Sequence, residues 1–294
     1  MTTAAGGAFF LMDGDHFVGT AHTAGPWDPN RSMHFGPPAG LMGRAIEATD
    51  GGDAKRITRA TFEILRPVPI GPVAVHTRVA RPGRRVDLID AVLTDGDGVE
   101  LALARAWRMR TTDLGGLPGA VAPAPPPGPD HATPRDFFPV EAEVHYGTSV
   151  ETRFVSGGFT EQGPAVVWMR MGVALVEGEQ PSPLSRVLVA ADSGNGASAV
   201  ADPTRLLFVN TDLTVSLHRE PVGEWICLDA STLLDAGGSG VATSRLSDTG
   251  GGIGTAMQTL FVEPRPHTDG GLPAPAPAPV DDWRHDGSGR RFPR

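Results

Sequence analysis

The sequence predicts an α+β protein made of two similar halves, each a single helix laid against a mostly antiparallel sheet. Three observations predict it. Arg66-Pro67-Val68 opens an extended run that reaches a turn at Asp95-Gly96-Asp97-Gly98. Arg219-Glu220-Pro221-Val222 opens another that reaches Asp248-Thr249-Gly250-Gly251, and in both the arginine and the aspartate are 29 residues apart. The same order of strand, turn and strand, met twice, reads as a duplication. Each half also carries one helical stripe ahead of its strands, and its Asp-Gly turns are of the kind that joins hairpins.

The first helix is expected over residues 38–49, where Leu41, Ala45 and Ala48 follow i, i+4, i+7 and Met42 and Ile46 widen the stripe. The second is expected over 183–192, where Leu184, Val187, Leu188 and Ala191 share one face. Prolines at both starts suit a first helical turn. Val99, Leu101 and Leu103 alternate with Glu100, Ala102 and Ala104, and Leu213, Val215 and Leu217 with Thr214, Ser216 and His218, as strands do. Trp225-Ile226-Cys227-Leu228 is apolar on both faces, like a central strand. Residues 113–136 hold Ala-Pro repeats and Pro125-Pro126-Pro127 and read as an extended, semi-rigid linker. They divide an N-terminal domain, 1–112, from a C-terminal domain, 137–263. Residues 264–294, rich in proline and alanine and then polar, read as a disordered tail.

Composition excludes several functions. The 294 residues carry a formal net charge of −9, which argues against a nucleic-acid surface, since phosphate neutralisation needs a basic face. Cys227 is the sole cysteine, so a disulfide framework, a cysteine zinc cluster and a C-x-x-C pair are ruled out and a reducing cytoplasm is the expected compartment. The N-terminus lacks the basic and apolar regions of a signal peptide, and no run approaches the 18 apolar residues of a membrane span. His16, His22 and His34 show no metal-ligand spacing, and no metal or cofactor is expected. Ser185, Ser193 and Ser198 lie outside any G-x-S-x-G, Gly194-Asn195-Gly196 is too short for a dinucleotide fingerprint, and there is no P-loop.

Asp192 stands out because it falls eight residues after Leu184 and four after Leu188, on their stripe. A carboxylate on an apolar helix face needs partners, and its environment suits it to handling a water proton. Alternatively the helix has already ended at Ser193-Gly194-Asn195-Gly196 and Asp192 is its polar terminus. The matching position in the first half is Thr49, so a site built on Asp192 would occur once. Gln258 shares the face of Ala256, Leu260 and Val262, and Asn210 ends the run Phe208-Val209-Asn210. Either amide is explained by a structural hydrogen bond or by a site. Arg78, Arg81, Arg84 and Arg85 cluster near one turn, which reads either as a solvated loop or as a clamp for nucleotide phosphates.

Several motifs together resemble the double-hotdog acyl-CoA thioesterases. They are His34-Phe35-Gly36-Pro37-Pro38-Ala39-Gly40-Leu41-Met42-Gly43-Arg44-Ala45, Phe62-Glu63-Ile64-Leu65-Arg66-Pro67-Val68-Pro69 and Arg81-Pro82-Gly83-Arg84-Arg85-Val86. In the second half they are Ala190-Ala191-Asp192, Asn210-Thr211-Asp212-Leu213-Thr214, His218 through Trp225, and Gln258. The resemblance implies a tandem hotdog fold, in which a sheet wraps each helix, and hydrolysis of acyl-CoA to fatty acid and CoA. It implies a water held by an Asp, a Thr or Ser and a Gln. Asp192 and Gln258 take two of these places, and Asn210, with Thr211 beside it, takes the third as a departure from the family. Asp192 would then be the general base. Pro37 and Pro38 lack an N–H, so Ala39 and Gly40 are the first backbone donors available for the thioester oxygen. Substrate contacts are expected at Gly40, Thr211, Arg84 and Arg85, and the chain is expected to form a homo-oligomer. Two other readings remain: a hotdog enoyl-thioester hydratase, which pairs an Asp with a His about five residues away that this sequence lacks after Asp192, and a non-catalytic acyl-thioester binder.

Overall fold

The computed structural model describes residues 7–28, 30–49, 55–115, 124–203 and 205–265. The first half runs β1 (Ala8–Asp13), β2 (His16–Gly19), α1 (Gly36–Glu47), β3 (Lys55–Ile64), β4 (Pro72–Arg81), β5 (Val86–Asp95) and β6 (Glu100–Arg110). The second runs β7 (Thr133–Pro134), α2 (Tyr146–Ser149), β8 (Val150–Ser156), β9 (Ala165–Met171), β10 (Ala174–Val176), α3 (Pro183–Ala191), α4 (Gly194–Ala197), β11 (Leu206–Asn210), β12 (Asp212–Leu217), β13 (Ile226–Leu234), β14 (Ser239–Asp248) and β15 (Gly251–Pro264).

The strands form one sheet in the order β10-β1-β2-β4-β5-β6-β3-β12-β15-β14-β13-β9-β8-β7, with β11 added against β15. Read outward from the β3·β12 seam, the order β3, β6, β5, β4 on one side answers β12, β15, β14, β13 on the other. The seam is antiparallel, with Thr61 opposite Thr214 at its middle and their hydroxyls 3.1 Å apart. The halves thus pair edge to edge, as the duplication predicts. At its far edge the first half is closed by a strand of the second: β10 pairs in parallel with β1, Ala8 opposite Ala174 and Phe10 opposite Val176.

The helices lie inside this curved sheet and pack on each other. Leu41, Met42 and Ile46 of α1 and Val187, Leu188 and Ala191 of α3 are fully buried. Both helices match the expected stripes, α1 starting two residues earlier than predicted and α3 ending at Ala191, with Asp192 as its C-cap. Glycines let them approach. A Cβ on Gly36 would overlap the Val189 carbonyl oxygen, one on Gly40 would lie 2.8 Å from the Val189 side chain, and one on Gly43 would meet Leu188. The pairing of Gly36 with Val189 and Gly43 with Leu188 and Leu184 makes the helices antiparallel.

Two sequence expectations change. The linker is not extended throughout: Pro129–His131 forms a 3-10 turn, Thr133–Pro134 pairs with β8, and the Trp168 indole donates to the Pro127 carbonyl at 2.7 Å. Residues 116–123 lie outside the described residues. Likewise Pro264 belongs to β15, and the Arg265 N–H bonds to the Arg205 carbonyl, so any tail starts later than expected. Residues 266–294 lie outside the described residues. Among the described residues no helix is long and apolar enough to cross a membrane.

Candidate active site

Because α1 and α3 are antiparallel, the segment that enters α1 meets the C-terminus of α3. His34 lies two residues before α1, its backbone N–H bonded to the Thr23 carbonyl at 2.7 Å. Its Nδ1 sits 3.1 Å from Asp192 Oδ2. Asp192 is 4% exposed. Its other oxygen, Oδ1, accepts from Asn210 Nδ2 at 2.9 Å and from Gln258 Nε2 at 3.2 Å. The three residues picked from the sequence are therefore brought together, with a fourth, His34, that sequence reasoning passed over.

Each partner is itself held. Gln258 Oε1 accepts from the Asn195 N–H at 3.0 Å, and its Nε2 also donates to the Asp192 carbonyl at 3.0 Å. Both ends of this amide are thus engaged by the protein, so Gln258 ties Asp192 to α4, and the second lone pair of its Oε1 is left for a water in the role the resemblance implies. The close fit needs a glycine beside it: a Cβ on Gly194 would stand 3.1 Å from Gln258 Oε1 and 2.8 Å from Ser244 Oγ. Asn210 Nδ2 donates also to the Asp212 carbonyl at 3.3 Å, which leaves its Oδ1 for a water. The His34 ring stacks on Tyr146, centroids 3.7 Å apart and planes 2° from parallel. The Tyr146 hydroxyl donates to the Val189 carbonyl at 2.8 Å and lies 3.0 Å from Ser193 Oγ.

Burial sets the protonation of these groups. Desolvation lowers the His34 pKa below its usual 6.5, and the Asp192 charge opposes this only in part. Desolvation likewise lifts the Tyr146 phenol above its ordinary range, so it stays a neutral stacking partner.

The other predicted site residues are not gathered here. The Ala39 N–H is bonded to the Phe35 carbonyl at 2.9 Å, and Gly40 lies one turn inside α1 against Val189 and Leu175, so both backbone N–H groups fall within the helix. The helix begins earlier than the prolines suggest, which places those donors inside it. Thr211 is exposed, and both its N–H and its hydroxyl bond to the Thr259 carbonyl. Arg84 and Arg85 are exposed in the β4–β5 turn. Arg84 lines a cavity of about 520 Å³ with Lys55, Arg108 and Asp87. There Asp87 takes Lys55 at 2.6 Å and Arg108 at 3.0 Å, and Arg108 donates to the Thr49 carbonyl at 2.7 Å. This cluster holds the C-terminal end of α1, roughly 18 Å from its N-terminal end at 1.5 Å rise per residue. Among the described residues no group of three His, Cys, Asp or Glu side chains could hold a metal ion.

His34 carried a signal that spacing within one segment hides. It opens the motif that leads into the first helix, and only the antiparallel helix pair shows that this motif faces Asp192. For the same reason the missing histidine after Asp192 no longer counts against a hydratase, since the other half supplies one.

Comparison with known proteins bears on most of the chain. The family models for acyl-CoA thioesterases match residues 23–109 with the N-terminal domain and 118–262 with the C-terminal domain. No curated protein matches closely enough to count as a relative. A protein assigned as a thioesterase II from Thermobifida fusca YX superposes with a TM-score of 0.67 at 18% identity, over 86% of this chain and 95% of that one. A hot dog fold protein of unknown function from Alicyclobacillus acidocaldarius gives 0.66 at 15% identity, over 86% and 95%. An acyl-CoA thioesterase II from Mycobacterium marinum gives 0.59 at 15% identity, over 90% and 96%. At these identities the structural likeness establishes the tandem hotdog fold, and the two family matches establish the lineage. The chain belongs to the acyl-CoA thioesterase family and is a thioester hydrolase.

Proposed function

We propose that the chain hydrolyses acyl-CoA to a free fatty acid and CoA at the polar cluster around Asp192. One observation carries this reading: a buried carboxylate at the end of α3 has both side-chain amides, Asn210 and Gln258, on one oxygen and an imidazole on the other. The amides donate to Oδ1 and fix the plane of the carboxylate, so Oδ2 and its partner carry the acid–base chemistry. A thioester carbonyl is electrophilic enough for direct attack by water, and no covalent nucleophile is needed. Asp192 supplies the negative charge that drives deprotonation of that water, and Asn210 Oδ1 can orient it.

The test is release of free thiol from a panel of acyl-CoAs. Asp192→Asn keeps the shape of the site and removes its charge, and should lower the rate by about 10²-fold or more. Gln258→Ala should lower it less, because it positions the carboxylate without carrying a proton. Wild-type turnover by Asp192→Asn would remove the site from the reaction. The His34–Asp192 contact also favours a second reading, addition of water across an enoyl-thioester. Loss of enoyl absorbance without thiol release would put hydration in place of hydrolysis.

A further inference from the structure

We infer that His34 accepts the proton of the attacking water at Nε2, and that Asp192 acts on the reaction by holding the imidazole from Nδ1. This rests on the hydrolytic reading above and changes the atom to which the proton goes.

The argument starts from a conflict at Nδ1. Two groups reach that nitrogen at 3.1 Å: the carboxylate oxygen Asp192 Oδ2 and the Gly36 N–H. If Nδ1 were bare, the Gly36 N–H could donate to it, but its lone pair would then face an anionic oxygen 3.1 Å away with the His34 side chain only 12% exposed and that of Asp192 4%. Such an arrangement is costly in a desolvated site. A proton on Nδ1 gives up the Gly36 N–H bond to that nitrogen but turns the contact with Oδ2 into a charge-assisted hydrogen bond, the stronger of the two. A neutral imidazole carries one N–H, so placing it on Nδ1 leaves Nε2 as a free lone pair.

That lone pair is available. Among the described residues the one buried side-chain nitrogen or oxygen without a partner is Arg59 Nε, so His34 Nε2, which takes no protein partner, is open to water. The titratable groups against the ring are Asp192 at its edge and Tyr146 on its face, and Tyr146 is neutral. Desolvation keeps the imidazole unprotonated near neutral pH, the state a base needs.

The step balances. Water oxygen bonds to the thioester carbon, its proton moves to Nε2, and the resulting imidazolium is stabilised by Asp192 across Nδ1–H···Oδ2. The tetrahedral oxyanion collapses, the C–S bond breaks with its electron pair going to sulfur, and the Nε2 proton passes to that sulfur to give the free thiol. The acid product then ionises in water.

The experiment has a spectroscopic arm and a kinetic arm. In ¹⁵N-histidine-labelled protein, His34 should show the Nδ1–H tautomer near neutral pH. In Asp192→Asn the new amide can donate to Nδ1, and His34 should switch to the Nε2–H tautomer. His34→Asn keeps a donor near the Nδ1 position and has no Nε2, so kcat should fall by about 10²-fold or more, and the acidic limb of kcat/KM, expected below pH 6.5 in the wild type because burial lowers the His34 pKa, should vanish. Added imidazole should restore part of the rate of His34→Ala. An Nε2–H tautomer in the wild type would overturn the inference even if every variant folded poorly. His34→Asn at near wild-type rate beside an inactive Asp192→Asn would overturn it too, while leaving hydrolysis at the Asp192 cluster intact. No thiol release by the wild type from any acyl-CoA would overturn both readings.

Discussion

Asp248 shows how a single residue carries meaning that the sequence displays without explaining. It is fully buried and takes Arg219 through two contacts of 2.6 Å, with the Val222 and Gly250 N–H groups at 2.8 Å. Burial works against its ionisation, but these bonds outweigh it and hold its carboxyl below the usual 3.8. Asp87 is held low in the same way, burial being outweighed by Lys55, the Gly83 N–H and Arg108. A carboxyl with a depressed folded pKa stabilises the fold above its unfolded pKa and loses that contribution as pH falls through the folded value. The urea midpoint should therefore be flat with respect to these groups above about pH 5 and fall steadily below about pH 4, near their unfolded pKa. Arg219→Met should lower stability by on the order of 3 kcal/mol, since it strands a buried charge. The 29-residue interval that marked the repeat is thus an ion pair in the second half. In the first half Asp95 instead caps its own turn through the Asp97 and Val99 N–H groups. Spacing revealed the duplication, and a difference in partners hid that the two intervals serve different ends.

Among elements, the decisive one is the α1–α3 pair. Its apolar stripes were legible from 3.6-residue periodicity, and so was Asp192 at the end of the second. What periodicity could not show is that Gly36, Gly40 and Gly43 form the contact, because a glycine's role depends on what faces it across the helix pair. Gly36→Ala should lower stability by roughly 1–3 kcal/mol, because the added Cβ meets the Val189 backbone oxygen, which moves only if the helix moves. It should also reduce thiol release, since the same shift carries His34 away from Asp192. Gly43→Ala meets the flexible end of Leu188 and should destabilise less at unchanged activity. Thermal melts of the two variants beside their kcat values check the difference. The Ala39 and Gly40 N–H groups, the first backbone donors the sequence offers, lie within the helix for a local reason: α1 begins at Gly36, before its prolines.

At the scale of the whole molecule, two hotdog halves and their seam follow from the repeat, because the glycine-bearing turns after Asp95 and Asp248 and alternating strands set antiparallel pairing in each half and leave β3 and β12 as free edges to join. The exchange of β10 was not legible, since its three residues carry no pattern that distinguishes one edge from another. That exchange has a mechanical consequence. The halves grip one another at β3·β12, at β1·β10 and through the helix pair, so the peptide between them is one of several connections and not the only one. Severing it removes only the high effective concentration that a short tether provides. A site-specific protease sequence placed within residues 116–123 should thus yield, after cleavage, two bands on a denaturing gel but one particle of full size on a native column. That particle should keep its hydrolytic rate, because His34 and Asp192 would travel on separate chains and still face each other.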